Sequence, residues 1–205
     1  MDTNILLSFI ASVTLLAISP GPDNIFVLMQ SVIYGKKYGL ATVIGLMTGC
    51  IIHTSLVAFG ISSIIKTNNT LFYGIKIVGA FYLLYLAYKV FKSSSDIKLN
   101  MEEIQKKSPF QLVKIGFLMN VLNPKVTIFF LALFPSFLFS DSLSIVIQFY
   151  VLGGLFILTS FVVFSFIAIL GGNISEKIQK NKKIGFWLQW MQVIVFVGIA
   201  LFILT

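Results

Sequence analysis

Apolar residues dominate this chain in long unbroken runs, and polar residues gather in the short stretches between them. The runs show no helix-period or strand-period alternation, which excludes an ordinary soluble domain. Six of them are long enough for a hydrocarbon core, which takes roughly 20 helical residues. The predicted helices are about Asn4 to Ile33, Tyr38 to Ile65, Leu71 to Phe91, Phe110 to Phe139, Leu143 to Leu170 and Ile184 to Leu204. Between them come the turn Tyr34-Gly-Lys-Lys37, a polar turn at 66–70, a long polar linker at 92–109, a tight turn at Ser140-Asp-Ser142 and a basic loop from Gly171 to Lys183. In the linker, Asn100 and Glu103 have the spacing of a helix N-cap pair, consistent with a short surface helix from Met101 to Lys107. The first run is too long for a signal peptide and lacks a positive leader, so it reads as a first transmembrane helix.

Two of the runs are interrupted. Ile18-Ser-Pro-Gly-Pro-Asp-Asn24 breaks the first, and Leu122-Asn-Pro-Lys-Val126 breaks the fourth. Each proline removes a backbone donor and crowds the preceding turn. Unwound backbone within a bilayer persists only where protein or a water-filled cavity surrounds it. Pro20 and Pro124 are 104 positions apart in a chain of 205, so the two halves carry corresponding broken helices. With three helices in each half, the halves insert in opposite orientations. The expected fold is an all-α membrane protein: one domain, 1–205, of six transmembrane helices arranged as two inverted three-helix repeats, 1–91 and 110–205, joined by the 92–109 linker. Such breaks are the best sequence pointer to a transporter binding site near the midplane.

Charge sharpens the picture. The chain has fifteen lysines, no arginine and a net charge of +8, with 58% hydrophobic residues and a mean hydropathy of +0.98. Twelve lysines fall in alternate loops: Lys36 and Lys37; Lys89, Lys92, Lys98, Lys106, Lys107 and Lys114; Lys177, Lys180, Lys182 and Lys183. Only Lys66 and Lys76 belong to the opposite side. The positive-inside bias therefore puts the linker in the cytoplasm and both termini outside it. Trp187 and Trp190 open the last helix where an aromatic belt belongs. Lysines set in loops between apolar runs match a lipid bilayer as partner and not a nucleic acid.

The candidate chemistry lies at the breaks. Asp23 is the only acidic residue in a long apolar run, and Lys125 is intramembrane too. Charges at that depth face the interior or a cavity. Two readings stand side by side: a buried ion pair between the halves, or Asp23 meeting a substrate amine or proton while Lys125 meets a carboxylate. Pro20, Gly21, Pro22, Asp23, Asn24, Asn123, Pro124 and Lys125 form the candidate substrate site. Half-helix N-termini there suit a carboxylate, and freed carbonyls suit an ammonium. His53 is roughly 22 Å into the second helix, either a proton relay or a donor to backbone freed at the breaks. Gly45 and Gly49 form a small-xxx-small pair for close helix packing, within the chain or between subunits of a homo-oligomer.

Other chemistries lack their residues. There is no phosphate-binding loop, no nucleophile elbow and no histidine pair at metal spacing. A single cysteine, Cys50, excludes an intramolecular disulfide and a thiol–disulfide electron carrier. No cofactor or metal is implied. A non-transporting subunit that binds a partner through its lysine-rich loops remains as an alternative, with a cation exporter ranked lower for want of hard oxygen ligands.

These residues resemble a known family. Pro20-Gly-Pro-Asp-Asn24 with Gly35, Gly39, Gly45, Gly49, His53 and Gly60 is similar to the N-terminal pattern of the LysE-type translocators, which include lysine and threonine/homoserine exporters. Gly79-Ala-Phe-Tyr-Leu-Leu-Tyr85 resembles that family's third helix. Gly116-Phe-Leu-Met-Asn-Val-Leu-Asn-Pro-Lys125 with Phe134-Pro-Ser-Phe137 resembles its fourth. The resemblance implies a secondary-active exporter of amino acids or related small metabolites in a bacterial inner membrane, and no enzyme.

Overall fold

The computed structural model describes residues 2–93, 106–180 and 182–204. Helices are the only regular secondary structure among these residues. In order they form α1 (Thr3–Ile18), α2 (Pro22–Tyr34), α3 (Lys36–Leu56), α4 (Ser62–Thr67), α5 (Asn69–Lys92), α6 (Pro109–Val121), α7 (Pro124–Ile128), α8 (Ile145–Lys180) and α9 (Lys182–Leu204). A π-helical turn, Val57–Ile61, joins α3 to α4, and a second π turn, Phe129–Leu133, followed by a 3-10 turn, Phe134–Phe137, extends α7.

Three stretches are long and apolar enough to cross a membrane unbroken: Lys36–Ile65, Thr70–Lys92 and Ile145–Gly171. Two further candidates are bent pairs. α1 and α2 meet at 60°, and the Pro109–Val121 helix meets the Pro124–Phe137 stretch at 50°. α9 carries a shorter apolar stretch, Gln189–Leu204. The protein is thus an all-helical, multi-pass membrane protein.

Local chemistry fixes the ends. Asp2 caps α1 through Asn4 N–H (2.9 Å). Ser108 and Gln111 close a reciprocal capping box at α6 (3.2 and 2.9 Å). Gly35 turns α2 into α3 at φ +95°, a backbone setting that L side chains avoid. On the opposite end, Gln148 fastens the 138–144 loop: its Oε1 accepts from Phe139 and Ser140 N–H (2.8 and 3.0 Å), and its Nε2 donates to Ser140 and Leu143 carbonyls (2.7 and 3.0 Å).

Lipid tails are as apolar as leucine, so these helices associate through close packing, not water exclusion. α3 packs most extensively on α6, and glycines allow it. A Cβ on Gly45 would collide with the Val113 carbonyl, and one on Gly116 with the Thr42 carbonyl. α5 pairs with α9, where Gln189 Nε2 donates to the Val90, Phe91 and Ser93 carbonyls (2.7, 3.3 and 2.8 Å) and so completes the end of α5.

Several sequence expectations need correction. The basic loop Gly171 to Lys183 is helical where it is described: α8 runs on to Lys180 and α9 begins at Lys182, because Asn-Ile-Ser-Glu-Lys-Ile-Gln-Lys holds no proline and mostly adequate helix formers. The polar turn at 66–70 shrinks to Asn68, whose side chain caps α5 through Leu71 N–H (2.9 Å). The proline correspondence shifts as well. Pro22 and Pro124, not Pro20 and Pro124, occupy matching places, each at the first residue of its second half-helix. Proline suits that place, since its missing N–H would be orphaned anyway. The expected Asn100–Glu103 cap pair and most of the Met101–Lys107 helix lie outside the described residues, and Lys106 and Lys107 are not helical.

Candidate functional site

The two breaks meet. Asn123 Nδ2 donates to Asp23 Oδ2 at 2.7 Å, a buried bond between residues of opposite halves. Asn123 Oδ1 meanwhile accepts from Lys125 N–H (3.0 Å) and caps α7. One carboxamide thus starts a half-helix and holds the intramembrane carboxylate. Asp23 lies in the first turn of α2, where the helix dipole favours a negative charge.

Lys125 reaches back to the other break. Its Nζ donates to the Ser19 and Leu16 carbonyls (3.2 and 3.3 Å) and sits 5.3 Å from the centre of the Phe196 ring. Those carbonyls lie at the C-terminal end of α1, where unwinding leaves them without helical donors. Asn24 Nδ2 takes a third, Ala17 O, at 2.7 Å. The second break is served from the first half in the same manner, with His53 Nε2–H donating to Asn120 O at 3.1 Å. His53 also lies against Phe130, ring centres 5.4 Å apart.

These groups surround a cavity of about 30 Å³. That is room for a water but not for an amino acid, so the site is closed. Gly21, Pro22, Asp23, Asn24, Asn123 and Lys125 line it. Pro20, Pro124 and His53 were candidates in the sequence but do not line it. Gly45 and Gly49 are buried in α3 on the α6 side. At Gly49 the space a Cβ would occupy belongs to Asn120, whose Oδ1 would be only 2.7 Å away.

Sequence reasoning missed several lining groups. Asn120 and Ser160 supply polar atoms, and Leu46, Met47, Phe156 and Phe164 supply an apolar wall. Asn120 had a signal, since Asn-Val-Leu-Asn places two carboxamides one turn apart at a break. The residues of α3 and α8 had none, because nothing local separates them from other membrane-helix residues. Asp23 Oδ1 is a buried acceptor with no hydrogen-bond partner, and Asn120 Oδ1 has no partner beyond the weakly donating Cys50 thiol. Two such acceptors beside one cavity suit an ammonium group.

A cluster of aromatic rings packs behind Phe156. Phe156 of the cavity wall lies 4.8 Å from Phe130, which stacks on Phe134 at 4.1 Å, and Phe9 meets Phe134 edge-on at 5.1 Å.

A family model, the LysE type translocator, matches residues 14–205. The chain belongs to the LysE-type translocators. Among its relatives, the uncharacterized membrane protein YrhP of Bacillus subtilis is 30% identical over 204 residues, covering 96% of each chain. A leucine efflux protein of Salmonella choleraesuis is 28% identical over 194 residues, 94% of this chain and 91% of that one. The leucine efflux protein of Salmonella typhimurium matches to the same extent. No solved structure matches the chain significantly. A LysE-type translocator is a transporter and not an enzyme, and this one concentrates its buried charge and carboxamides where two broken helices touch.

Proposed function

We propose that this translocator is a secondary-active exporter of amino acids across the bacterial inner membrane, with its substrate site where the helix breaks meet. The observation that carries this reading is the Asn123–Asp23 bond, which brings both breaks and both intramembrane charges to one cavity. A zwitterion carries the complementary groups. Its ammonium takes the acceptors Asp23 Oδ1 and Asn120 Oδ1, and its carboxylate takes Lys125 Nζ in exchange for a carbonyl of α1. The apolar wall of Leu46, Met47 and Phe164 suits an aliphatic side chain once the site widens. The relatives named leucine efflux proteins agree with such a substrate.

Alternating access on this reading comes from two inverted repeats of three helices, with both termini outside the cytoplasm. Part of the helix pairing agrees with it. α6 rests on α3 as α1 rests on α8, which a two-fold axis in the membrane plane would produce, whereas α2 packs on α3 and α8 and its counterpart α7 packs on α5 instead.

The test is accumulation of leucine and other neutral amino acids in everted membrane vesicles under an imposed proton gradient or membrane potential. Gradient-dependent uptake that exceeds control vesicles supports the reading. A chain that is folded in the membrane but moves no amino acid under either gradient defeats it and leaves a partner-binding subunit.

A further inference from the structure

Gln30 is wholly buried in α2, and neither its Nε2 nor its Oε1 has a hydrogen-bond partner. The hydroxyl of Ser31 beside it is buried and unpartnered too. Buried polar groups are nearly always paired, and an unpaired amide costs stability outright. A leucine would fill the same space without that cost in the closed arrangement. The carboxamide is therefore matched to an arrangement in which it meets something polar.

Its place on the helix says which. Gln30 is seven residues beyond Asp23, nearly two turns, so both share one face of α2 about 10 Å apart. Val27 lies between them, packed with Val43, Leu46, Met47, Phe164 and Ala168. Leu46, Met47 and Phe164 also wall the cavity. The face thus leads from the cavity, over a thin apolar seal, toward Lys36 and Lys37. At the level of Gln30 three helices touch through glycine. A Cβ on Gly39 of α3 would collide with the Ser31 hydroxyl, and one on Gly171 of α8 would lie 2.9 Å from Ser31 Cβ. Among the described residues, neither Gln30 nor the Ser31 hydroxyl donates or accepts a bond across this junction, so neither of these side chains ties α2 to α3 or α8.

We infer that Gln30 lines the cytoplasm-facing entry path and binds the polar head of the amino acid on its way to Asp23. An uncharged carboxamide offers an acceptor to the ammonium and donors to the carboxylate, so it receives either end of a zwitterion and releases it. This inference rests on the amino-acid exporter reading above.

The experiment compares wild type and Gln30→Leu in everted vesicles, with leucine as the probe. A lost entry station lowers kcat/KM about tenfold, chiefly through KM, which corresponds to one hydrogen-bonded contact. The same variant raises the unfolding midpoint in detergent by about 2–4 °C, since it removes an unpaired amide from the closed state. A merely structural glutamine gives the opposite sign, a lower midpoint. Unchanged kcat/KM or a lower midpoint overturns the inference. Wild-type vesicles that move no amino acid defeat the exporter reading instead. The path is then judged by Gln30→Cys and an impermeant thiol reagent applied from the cytoplasmic face. Labelling above that of wild type, whose single Cys50 is buried, supports a polar path, and its absence overturns it.

Discussion

Asp23 and Lys125 each follow the proline that opens a half-helix, Pro22 in α2 and Pro124 in α7, and attract each other across the site, yet their hydrogen bonds go to other groups. Asp23 is held by the Asn123 amide and Lys125 by two carbonyls of α1. Each charge is steadied by the other half's break. Lys125 sits at the N-terminal end of α7, where the dipole opposes it by about 0.3–1 kcal/mol. Hydrogen bonds from a charged donor contribute about 1.5–3 kcal/mol each, so the α1 carbonyls win.

From this arrangement, exchanging the two charges for neutral groups does not restore function. Asp23→Asn keeps an acceptor for Asn123 and folds, but loses efflux by about a hundredfold or more, the scale of a missing charged contact of about 3 kcal/mol. Lys125→Met strips the donor from Leu16 O and Ser19 O and lowers stability by about 1–3 kcal/mol. The double variant folds and stays inactive. The readout is efflux of preloaded leucine per folded protein. Recovery of efflux in the double variant would establish a purely structural pair.

Asn123 separates its two jobs by substitution. Asn123→Ser keeps a capping oxygen for α7 and loses the donor to Asp23, while Asn123→Ala loses both. The alanine variant should be less stable than the serine one by about 1 kcal/mol, the worth of a cap. Both should lose efflux equally. Thermal unfolding and vesicle transport measure the two effects, and a serine variant with normal transport would contradict the role given to the 2.7 Å bond.

Glycine substitutions divide by what surrounds each one. Gly45→Ala and Gly116→Ala drive a methyl into backbone carbonyls, which cannot turn aside. Overpacking of that kind costs about 1–3 kcal/mol, so folded protein in the membrane falls sharply. Gly74→Ala and Gly154→Ala, with no neighbouring atom within 4 Å, leave it unchanged or slightly higher. Equal yields across the four would show that α3 and α6 do not approach as described.

The lysine asymmetry predicts an extracytoplasmic C-terminus. Fused there, alkaline phosphatase should be active and green fluorescent protein dark. The reverse result would invert the topology and, with it, the face to which Gln30 opens.

The sequence by itself determined the class, the two breaks and the two charges, because each is a local conflict with the surrounding solvent. A proline pair, an aspartate or a lysine inside an apolar run is costly wherever the chain folds. It also pointed to close packing at Gly45 and Gly49, though not to the neighbour. Helix ends were less legible: α8 runs through a lysine-rich stretch that reads as a loop, since charged residues continue a helix as readily as they end one. Only the tertiary structure decided that Asn123 joins Asp23, that Lys125 bonds to α1 and that His53 serves Asn120 O. It alone set Pro22 rather than Pro20 against Pro124, because helix phase, not the presence of a proline, fixes the first residue of a half-helix. The apolar wall from α3 and α8 and the unpaired amide of Gln30 were likewise invisible. A residue's partner is a property of packing between distant segments, and within apolar runs nothing local marks which face meets which neighbour.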